Sequence, residues 1–219
     1  MEDISMSVFE KYNGTGDSFI IPSWANVIGE EAFKECYLKY VSMTHVEIIS
    51  DYAFVDSEID KIYINNGCRS IGVGSFMRSM INDMTLPESV TEIGEQAFYG
   101  CHFLKTVIMK GVSEIPKECF ANCTMLENVV HEAKIIGEDS FYNSGLTVIV
   151  IPDTVKEIKF GAFRYSKNLE RVLISDSVQS ISKFAFYGCN NLKEIVMPKK
   201  LFNIEIFAGI NPYVKFDLF

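Results

Sequence analysis

The 219-residue sequence predicts a single solenoid, built mostly from short β-strands, of about eight to nine stacked coils with about 22 residues each. Three observations predict this fold class: a phenylalanine that recurs at nearly constant spacing, an isoleucine five residues before it, and a strand-like segment after it. A unit of this length cannot bury its own apolar face. Stacked on similar units it buries a continuous core, so the repeat predicts a solenoid.

The repeated phenylalanine is the most regular element. Each copy follows an isoleucine by five residues and a small residue by one, and Cys or Ser stands three residues after it. The phenylalanines are Phe33, Phe54, Phe76, Phe98, Phe120, Phe141, Phe163 and Phe186, and the isoleucines are Ile28, Ile49, Ile71, Ile93, Ile115, Ile136, Ile158 and Ile181. This regularity predicts one inward Phe and one inward Ile in every coil.

The second half of each unit predicts a strand. A Leu or Ile is followed by apolar residues three and five positions later, as in Leu146, Ile149 and Ile151. Alternation of this kind among β-branched residues is typical of a short strand. In four of the coils a proline follows directly and ends the strand, because it has no N–H to donate; these are Pro22, Pro87, Pro152 and Pro198.

The full unit is L-x-x-I-x-I-P-x-x-V-x-x-I-G-x-x-A-F-x-x-C, and its clearest copies are 169–189 and 146–166. It resembles the leucine-rich repeat of the BspA type over most of the chain. The resemblance implies an α/β, mostly β, right-handed solenoid with a parallel sheet on the concave face and short turns or helical bends on the convex face. It also implies an adhesion or binding module of a surface or secreted protein rather than an enzyme.

One continuous domain is expected over residues 1–219 because no linker interrupts the repeat. Residues 1–22 are expected to form an N-terminal cap and partial coil, residues 23–200 the regular repeats, and residues 201–219 a degenerate C-terminal coil or cap. Beyond Ile204 the motif decays, since Phe207 follows it by only three residues. Val214 and Phe216 then alternate as a last strand.

The charge balance narrows the partner classes. With 20 basic and 29 acidic side chains the net charge is −9, so a phosphate backbone would be repelled and no nucleic-acid partner is predicted. No apolar run approaches the roughly 20 residues of a membrane-spanning helix, so no membrane insertion is expected. The N-terminal residues lack the pattern of a secretory signal, which favours a reducing interior, whereas the resemblance implies the cell surface. The location is therefore left open.

The six cysteines are expected to be buried free thiols. Each occupies a position that is small or apolar in the other coils, and no pair has the spacing of a metal site, so neither metal nor cofactor is predicted. A disulfide between Cys101 and Cys123 is the alternative, because these two residues stand on adjacent coils.

The candidate acid–base residues form no catalytic pattern. His131 falls in an inward position of a coil that is two residues short between Leu126 and Ile136, so a local bulge that turns its ring outward is expected, with a buried, hydrogen-bonded ring as the alternative. The carboxylates of Glu138 and Asp139 are expected to be solvated in a convex turn. No catalytic residue is predicted.

The candidate partner surface is the concave face. Side chains alternate across a strand, and one outward column becomes apolar in five consecutive coils, at Ile108, Val130, Val150, Leu173 and Val196. We call these five residues the aliphatic strip. Tyr63 and Arg171 lie on the same face and complete the predicted site.

The strip predicts a non-catalytic scaffold that binds a protein partner of unspecified identity, or a second copy of itself, through the concave face. The alternatives are that β-branched residues simply favour strands, that the chain is a passive spacer of a larger surface protein, or that it is an enzyme built on Asp83, Asn128 and Arg171.

Overall fold

The computed structural model describes residues 7–14 and 16–219, and in this part of the chain long and short strands alternate. The strands are β1 (Val8–Phe9), β2 (Ser18–Ile20), β3 (Val27–Ile28), β4 (Tyr37–Ser42), β5 (Ile48–Ile49), β6 (Glu58–Tyr63), β7 (Ser70–Ile71), β8 (Asp83–Thr85), β9 (Glu92–Ile93), β10 (Thr106–Met109), β11 (Glu114–Ile115), β12 (Asn128–His131), β13 (Ile135–Ile136), β14 (Val148–Ile151), β15 (Glu157–Ile158), β16 (Arg171–Ile174), β17 (Ser180–Ile181), β18 (Glu194–Met197) and β19 (Lys215–Leu218).

The long strands form the concave face as three parallel sheets: β2-β4-β6, β8-β10-β12 and β14-β16-β18-β19. Successive strands keep the repeat in register, so that Val107 pairs with Val129 and Ile149 pairs with Val172. The described residues give about ten coils, one or two more than expected. The difference arises because β2 and β19, in segments expected to serve as caps, each complete a further rung.

A second parallel ladder runs along the short strands, and the sequence did not predict it. It comprises β1-β3-β5-β7-β9 and β11-β13-β15-β17, and from β3 to β17 the second residue of each strand is the repeated isoleucine. Most of these isoleucines are fully buried, while Ile93 and Ile181 are half-buried. A two-residue strand is too short to show alternation in a sequence, which explains why only its inward residue was recognised.

The phenylalanines stack face to face through the solenoid. Consecutive rings from Phe33 to Phe207 lie 4.8–5.6 Å apart between centroids with interplanar angles of 2–15°. Phe207 therefore continues the stack, although the motif around it has decayed. It can do so because a short 3-10 turn, Ile204–Phe207, replaces the missing residues. At the other end Phe9 and Tyr12 stack on Phe33. Residues 1–6 of the expected N-terminal cap lie outside the described residues.

The convex segment around each phenylalanine is a run of turns, and the 3-10 turns Lys199–Leu201 and Ile204–Phe207 are the helical elements of the described residues. In eight coils the residues two before and two after the Phe both have positive φ, as at Tyr52 and Asp56 around Phe54. This geometry points three N–H groups at the next coil: Tyr52, Phe54 and Asp56 donate to Val73, Ser75 and Met77 carbonyls at 2.7–2.9 Å. The turns are thus joined coil to coil by hydrogen bonds.

The Cys or Ser three residues after each phenylalanine has a polar task in several coils. Cys101, Cys123 and Cys189 donate from Sγ to the carbonyl of the Phe one coil earlier, at 2.9, 3.1 and 3.2 Å. Ser166 makes the same bond from Oγ to Phe141 O at 2.8 Å. The position therefore favours a small side chain that donates a hydrogen bond. All six cysteines are free thiols, Cys101 and Cys123 among them.

The inward register can be tested with two Asp substitutions. Ile115 is fully buried, so Ile115→Asp places an unpaired charge in the core and should lower the free energy of unfolding by roughly 3–5 kcal/mol. Lys105→Asp, at an exposed outward position, should change it by about 0.5 kcal/mol or less. Urea denaturation followed by circular dichroism measures both. Equal midpoints would contradict the register.

The thiols give a second test. Burial raises the pKa of Cys68 to about 11 and the pKa values of Cys101 and Cys189 to about 12, and it raises that of Cys123 strongly. Because the thiolate is the reactive form, the native protein should react slowly with a thiol reagent except at half-buried Cys36. Six thiols should titrate in denaturant without reductant. A count below six would indicate a disulfide, with Cys101 and Cys123 examined first.

Candidate functional site

The aliphatic strip points outward, but its residues are unequally exposed. Val150 is 61% and Val130 39% exposed, whereas Ile108, Leu173 and Val196 are half-buried. The half-buried three stand on β10, β16 and β18, which have hydrogen-bonded neighbours on both sides. Val130 on β12 and Val150 on β14 stand at the edges of two sheets. Exposure is therefore concentrated in the middle of the strip.

The sequence predicts one continuous column of five aliphatic residues, but the structure interrupts this column in its middle. No hydrogen-bonded ladder joins β12 to β14, so the strip consists of one segment with Ile108 and Val130 and another with Val150, Leu173 and Val196. The break falls in the shortest coil, where 20 residues separate Leu126 from Leu146. We call it the central break.

Val148 enlarges the exposed aliphatic surface and was missed as part of the site. It lies on β14 in the outward column next to Val150 and is 47% exposed. By its place in the repeat Val148 belongs to the other outward column, which carries polar residues in most coils, such as Asn128 in the preceding coil and Arg171 in the next. The sequence does contain a feature that marks Val148 as part of this surface. The run from Val148 to Ile151 is apolar throughout, so β14 has no outward polar residue.

The other two predicted residues lie apart from the central break. Tyr63, 54% exposed, borders a second break, between β6 and β8, where a depression of about 610 Å³ is lined by Tyr40, Lys61 and Asp83 among others. Arg171 lies one rung from Val148 and is held by Glu194 at 2.7 Å. The structure therefore places Arg171 at the strip and Tyr63 in a separate polar and aromatic surface.

The residues of the alternative enzyme hypothesis are not brought together. Asp83 pairs with Thr106, and Thr106 pairs with Asn128, so Asp83 and Asn128 are two rungs apart, roughly 10 Å. Arg171 lies beyond the central break and is engaged by Glu194. Within residues 7–14 and 16–219, no group of three or more His, Cys, Asp or Glu side chains has a geometry that would hold a metal ion.

His131 points into the core, so the expected outward bulge is wrong and the alternative, a buried ring, is correct. It is 8% exposed and stays in register with Met109. In a longer turn such as that of Val155, the N–H donates to the carbonyl three residues earlier, here Pro152 O. In the shorter turn the N–H of Ala133 makes no such backbone bond, and His131 Nδ1 accepts it at 3.2 Å instead. The imidazole thereby closes the turn.

Asp139 is also buried, at 8% exposure, contrary to the expected solvated turn. Arg164 binds its carboxylate through two nitrogens, at 2.9 and 3.1 Å, which repays the loss of hydration. Burial raises the pKa of Asp139 against the opposing effect of Arg164. The Arg164 guanidinium also lies over the rings of Tyr142 and Phe160, so this convex cluster ties neighbouring coils together.

A row of exposed large side chains borders the start of the long strands and was also missed. Met80, Phe103 and Met125 are 42–47% exposed and precede the inward Leu or Ile of three consecutive coils. We call them the edge row. Their signal in the sequence was three large apolar residues in succession at the position directly before the inward Leu or Ile.

The chain matches the BspA type leucine-rich repeat region, in six copies, over residues 2–127 and 128–211. It belongs to the BspA-type leucine-rich-repeat family. This explains the periodic Phe and Ile positions and the mainly parallel-stranded solenoid. No curated protein matches the chain in sequence.

Solved structures of leucine-rich-repeat proteins share the fold. One from Bacteroides ovatus is 26% identical, with a TM-score of 0.66, and the comparison covers 93% of this chain and 66% of that protein. One from Eubacterium ventriosum is 19% identical, with a TM-score of 0.53 over 84% and 60% of the two chains. The pneumococcal vaccine antigen PcpA is 16% identical, with a TM-score of 0.54 over 89% and 64%. The BspA-type chain thus spans less than two thirds of each.

In the part of the chain that the structure describes, no helix has the length and apolar character needed to cross a membrane.

The buried imidazole gives a pH-dependent test. Desolvation lowers the pKa of His131 from 6.5 to about 4, so at pH values between these limits the unfolded chain binds the proton more tightly than the folded one. The stability contributed by the neutral ring is complete above pH 6.5 and is lost as the pH falls toward 4, by about 3 kcal/mol in all. Comparing wild type with His131→Met in denaturation series from pH 7 to pH 4 isolates this slope. Parallel curves would contradict a buried neutral ring.

Proposed function

We propose that this BspA-type protein is a non-catalytic scaffold that binds a protein partner through its concave face, centred on the central break. The observation that carries the proposal is the exposure of Val130, Val148 and Val150 on the two strands that border the break. These aliphatic side chains lie on the water-facing sides of the two sheets that meet at the break, and association would remove them from solvent.

The N-terminal half of the same face argues against strand propensity as the whole explanation. The column that carries Val130 and Val150 carries Ser42, Tyr63 and Thr85 in earlier coils. The fold therefore accepts polar or aromatic residues at this position, and aliphatic residues are not required for a strand to form there. In the described strands this column also carries Ile20 on β2, but the aliphatic residues are consecutive only from Ile108 to Val196, and this run supports a role in binding.

The rigidity of the scaffold supports the same conclusion. Valine has few side-chain rotamers. The inward residues of the same strands, such as Ile149 and Val172, are buried in the core and hold the backbone in place. A partner would meet side chains that are already ordered, so little conformational entropy would be lost on binding. An adhesion role at a cell surface is part of this proposal and rests on membership of the BspA-type family.

The charge distribution favours an apolar contact in this half of the molecule. Residues 1–110 carry 8 basic and 16 acidic side chains, net −8, and residues 111–219 carry 12 and 13, net −1. The acidic half favours solubility. The nearly neutral half would exert little long-range electrostatic repulsion on an approaching partner.

The test is to place carboxylates on both sides of the central break. Val130→Glu/Val150→Glu should leave the fold intact because both side chains are exposed, and thermal melting checks this. Peptides selected from a random phage-displayed library on the wild-type chain should bind the double variant about tenfold more weakly or worse, because the new charges would have to be desolvated. Biolayer interferometry with the synthetic peptides measures the change.

The matched control is Phe103→Glu/Met125→Glu, which adds two carboxylates at exposed residues of the edge row. It should leave peptide binding unchanged. If this control abolishes binding while the first variant does not, the edge row is the binding surface and the proposal is overturned. If a folded Val130→Glu/Val150→Glu variant binds as wild type, the aliphatic surface reflects strand propensity alone.

A further inference from the structure

The break between β6 and β8 opens the concave face between two coils that stay joined elsewhere. The rings of Phe54 and Phe76 still stack at 5.1 Å, and Ile49 on β5 still pairs with Ile71 on β7. On the concave side no hydrogen-bonded ladder joins β6 to β8. The two coils therefore separate only at this face, where the depression of about 610 Å³ lies. We call it the Tyr63 depression.

The floor of the Tyr63 depression is apolar. Ile62 is an inward residue of β6 but is only half-buried, whereas its counterparts Val41 and Met84 in the adjacent coils are fully buried. The opening thus uncovers part of the core. The rings of Tyr40 and Tyr63, 39% and 54% exposed, line the same depression. A ligand seated here would cover aliphatic and aromatic surface that the fold leaves in water.

The rim of the Tyr63 depression carries polar side chains that the fold does not use. Lys61 and Asp83 occupy the same column in consecutive coils, yet no ion pair joins them among the described residues. In that column Arg171 and Glu194, on paired strands, meet at 2.7 Å. The other polar lining side chains also make no hydrogen bond within the described part of the chain; they are Asp60, Asn66, Asn82 and Thr85. Several donors and acceptors are therefore free for a ligand.

We propose that the Tyr63 depression binds a neutral oligosaccharide, at a site separate from the central break. A pyranose ring has an apolar face of C–H groups and a rim of hydroxyls, which matches an apolar floor with a polar rim. The C–H face would pack on the Tyr63 ring, whose face carries partial negative charge, and on Ile62. The hydroxyls would donate to the carboxylates of Asp60 and Asp83 and accept from Lys61.

The charges of the site favour a neutral ligand. Two carboxylates and one ammonium line the depression, and the surrounding residues 1–110 carry a net charge of −8, so a sulfated or carboxylated ligand would be repelled. The volume lies within the range of roughly 300–1,000 Å³ that is usual for small-ligand sites.

The density of polar groups favours a saccharide over a peptide. A peptide backbone offers one N–H and one C=O per residue, spread along an extended chain. A sugar carries a hydroxyl on most of its ring carbons, and each hydroxyl both donates and accepts. Six polar side chains around one depression can therefore be satisfied together by a short oligosaccharide.

The test uses the full 219-residue chain on an array of neutral and anionic glycans. Neutral hexose oligosaccharides should bind, and isothermal titration calorimetry with the best-bound one gives the affinity. Tyr63→Ala should weaken binding about tenfold, because the stacking ring is lost, whereas Tyr63→Phe should retain most of the affinity. Asp83→Ala should weaken it by about tenfold or more, because a charged acceptor is lost. Both residues are exposed, and thermal melting verifies that each variant is folded.

Two controls separate this site from other surfaces. Tyr213→Ala removes a ring that is 89% exposed outside the depression and should leave glycan binding unchanged. Val130→Glu/Val150→Glu should also bind the glycan as wild type does, while Tyr63→Ala should still bind the phage-selected peptides. The glycan site and the peptide surface can therefore fail independently.

Four results would overturn the proposal. The first two are a wild-type chain that binds no neutral glycan and binding confined to sulfated or carboxylated glycans. The third is an equal loss of affinity in Tyr213→Ala and Tyr63→Ala. The fourth is a chain that binds no glycan and whose selected peptides depend on Tyr63, which would make the depression a peptide site.

Discussion

The spacing between successive coils must be the same in the backbone ladders and in the stack of phenylalanine rings. The rest of the molecule depends on this constraint. Hydrogen-bonded strands lie about 4.8 Å apart. The phenylalanine rings repeat at 4.8–5.6 Å, close enough to stack face to face without forcing the strands apart. Because the two repeats agree, a ring, an isoleucine and a strand can occupy the same position in each coil with little strain.

The convex turns make this agreement stable. Two left-handed residues flank each phenylalanine in most coils, and a non-glycine residue there costs on the order of 1 kcal/mol. The cost is offset by the row of N–H groups that the geometry directs to the next coil, and by the thiol or hydroxyl that donates back to the previous one. Glycine is needed where a ring takes the space: at Gly188, with φ +74°, a Cβ would lie 2.6 Å from the Tyr165 ring.

Because the inward positions carry the stability, the outward columns are free to differ between coils. The N-terminal coils use this freedom for Lys61, Tyr63 and Asp83, and the later ones for Val148 and Val150. The sheet breaks then decide how much of each side chain meets solvent. Function in this fold is therefore set by a few outward residues on a framework that changes little from coil to coil.

The sequence by itself determined the solenoid, the Phe and Ile columns and the outward columns, since these follow from stacking near-identical units and recur in every coil. Only the tertiary structure decided the features that arise where coils differ in length or lie at an end. The central break, the inward ring of His131 and the buried pair of Asp139 with Arg164 are of this kind. Each depends on the length of one turn or on what the adjacent coil presents, such as the Arg164 guanidinium one coil beyond Asp139. A repeat pattern averages over such differences and cannot contain them.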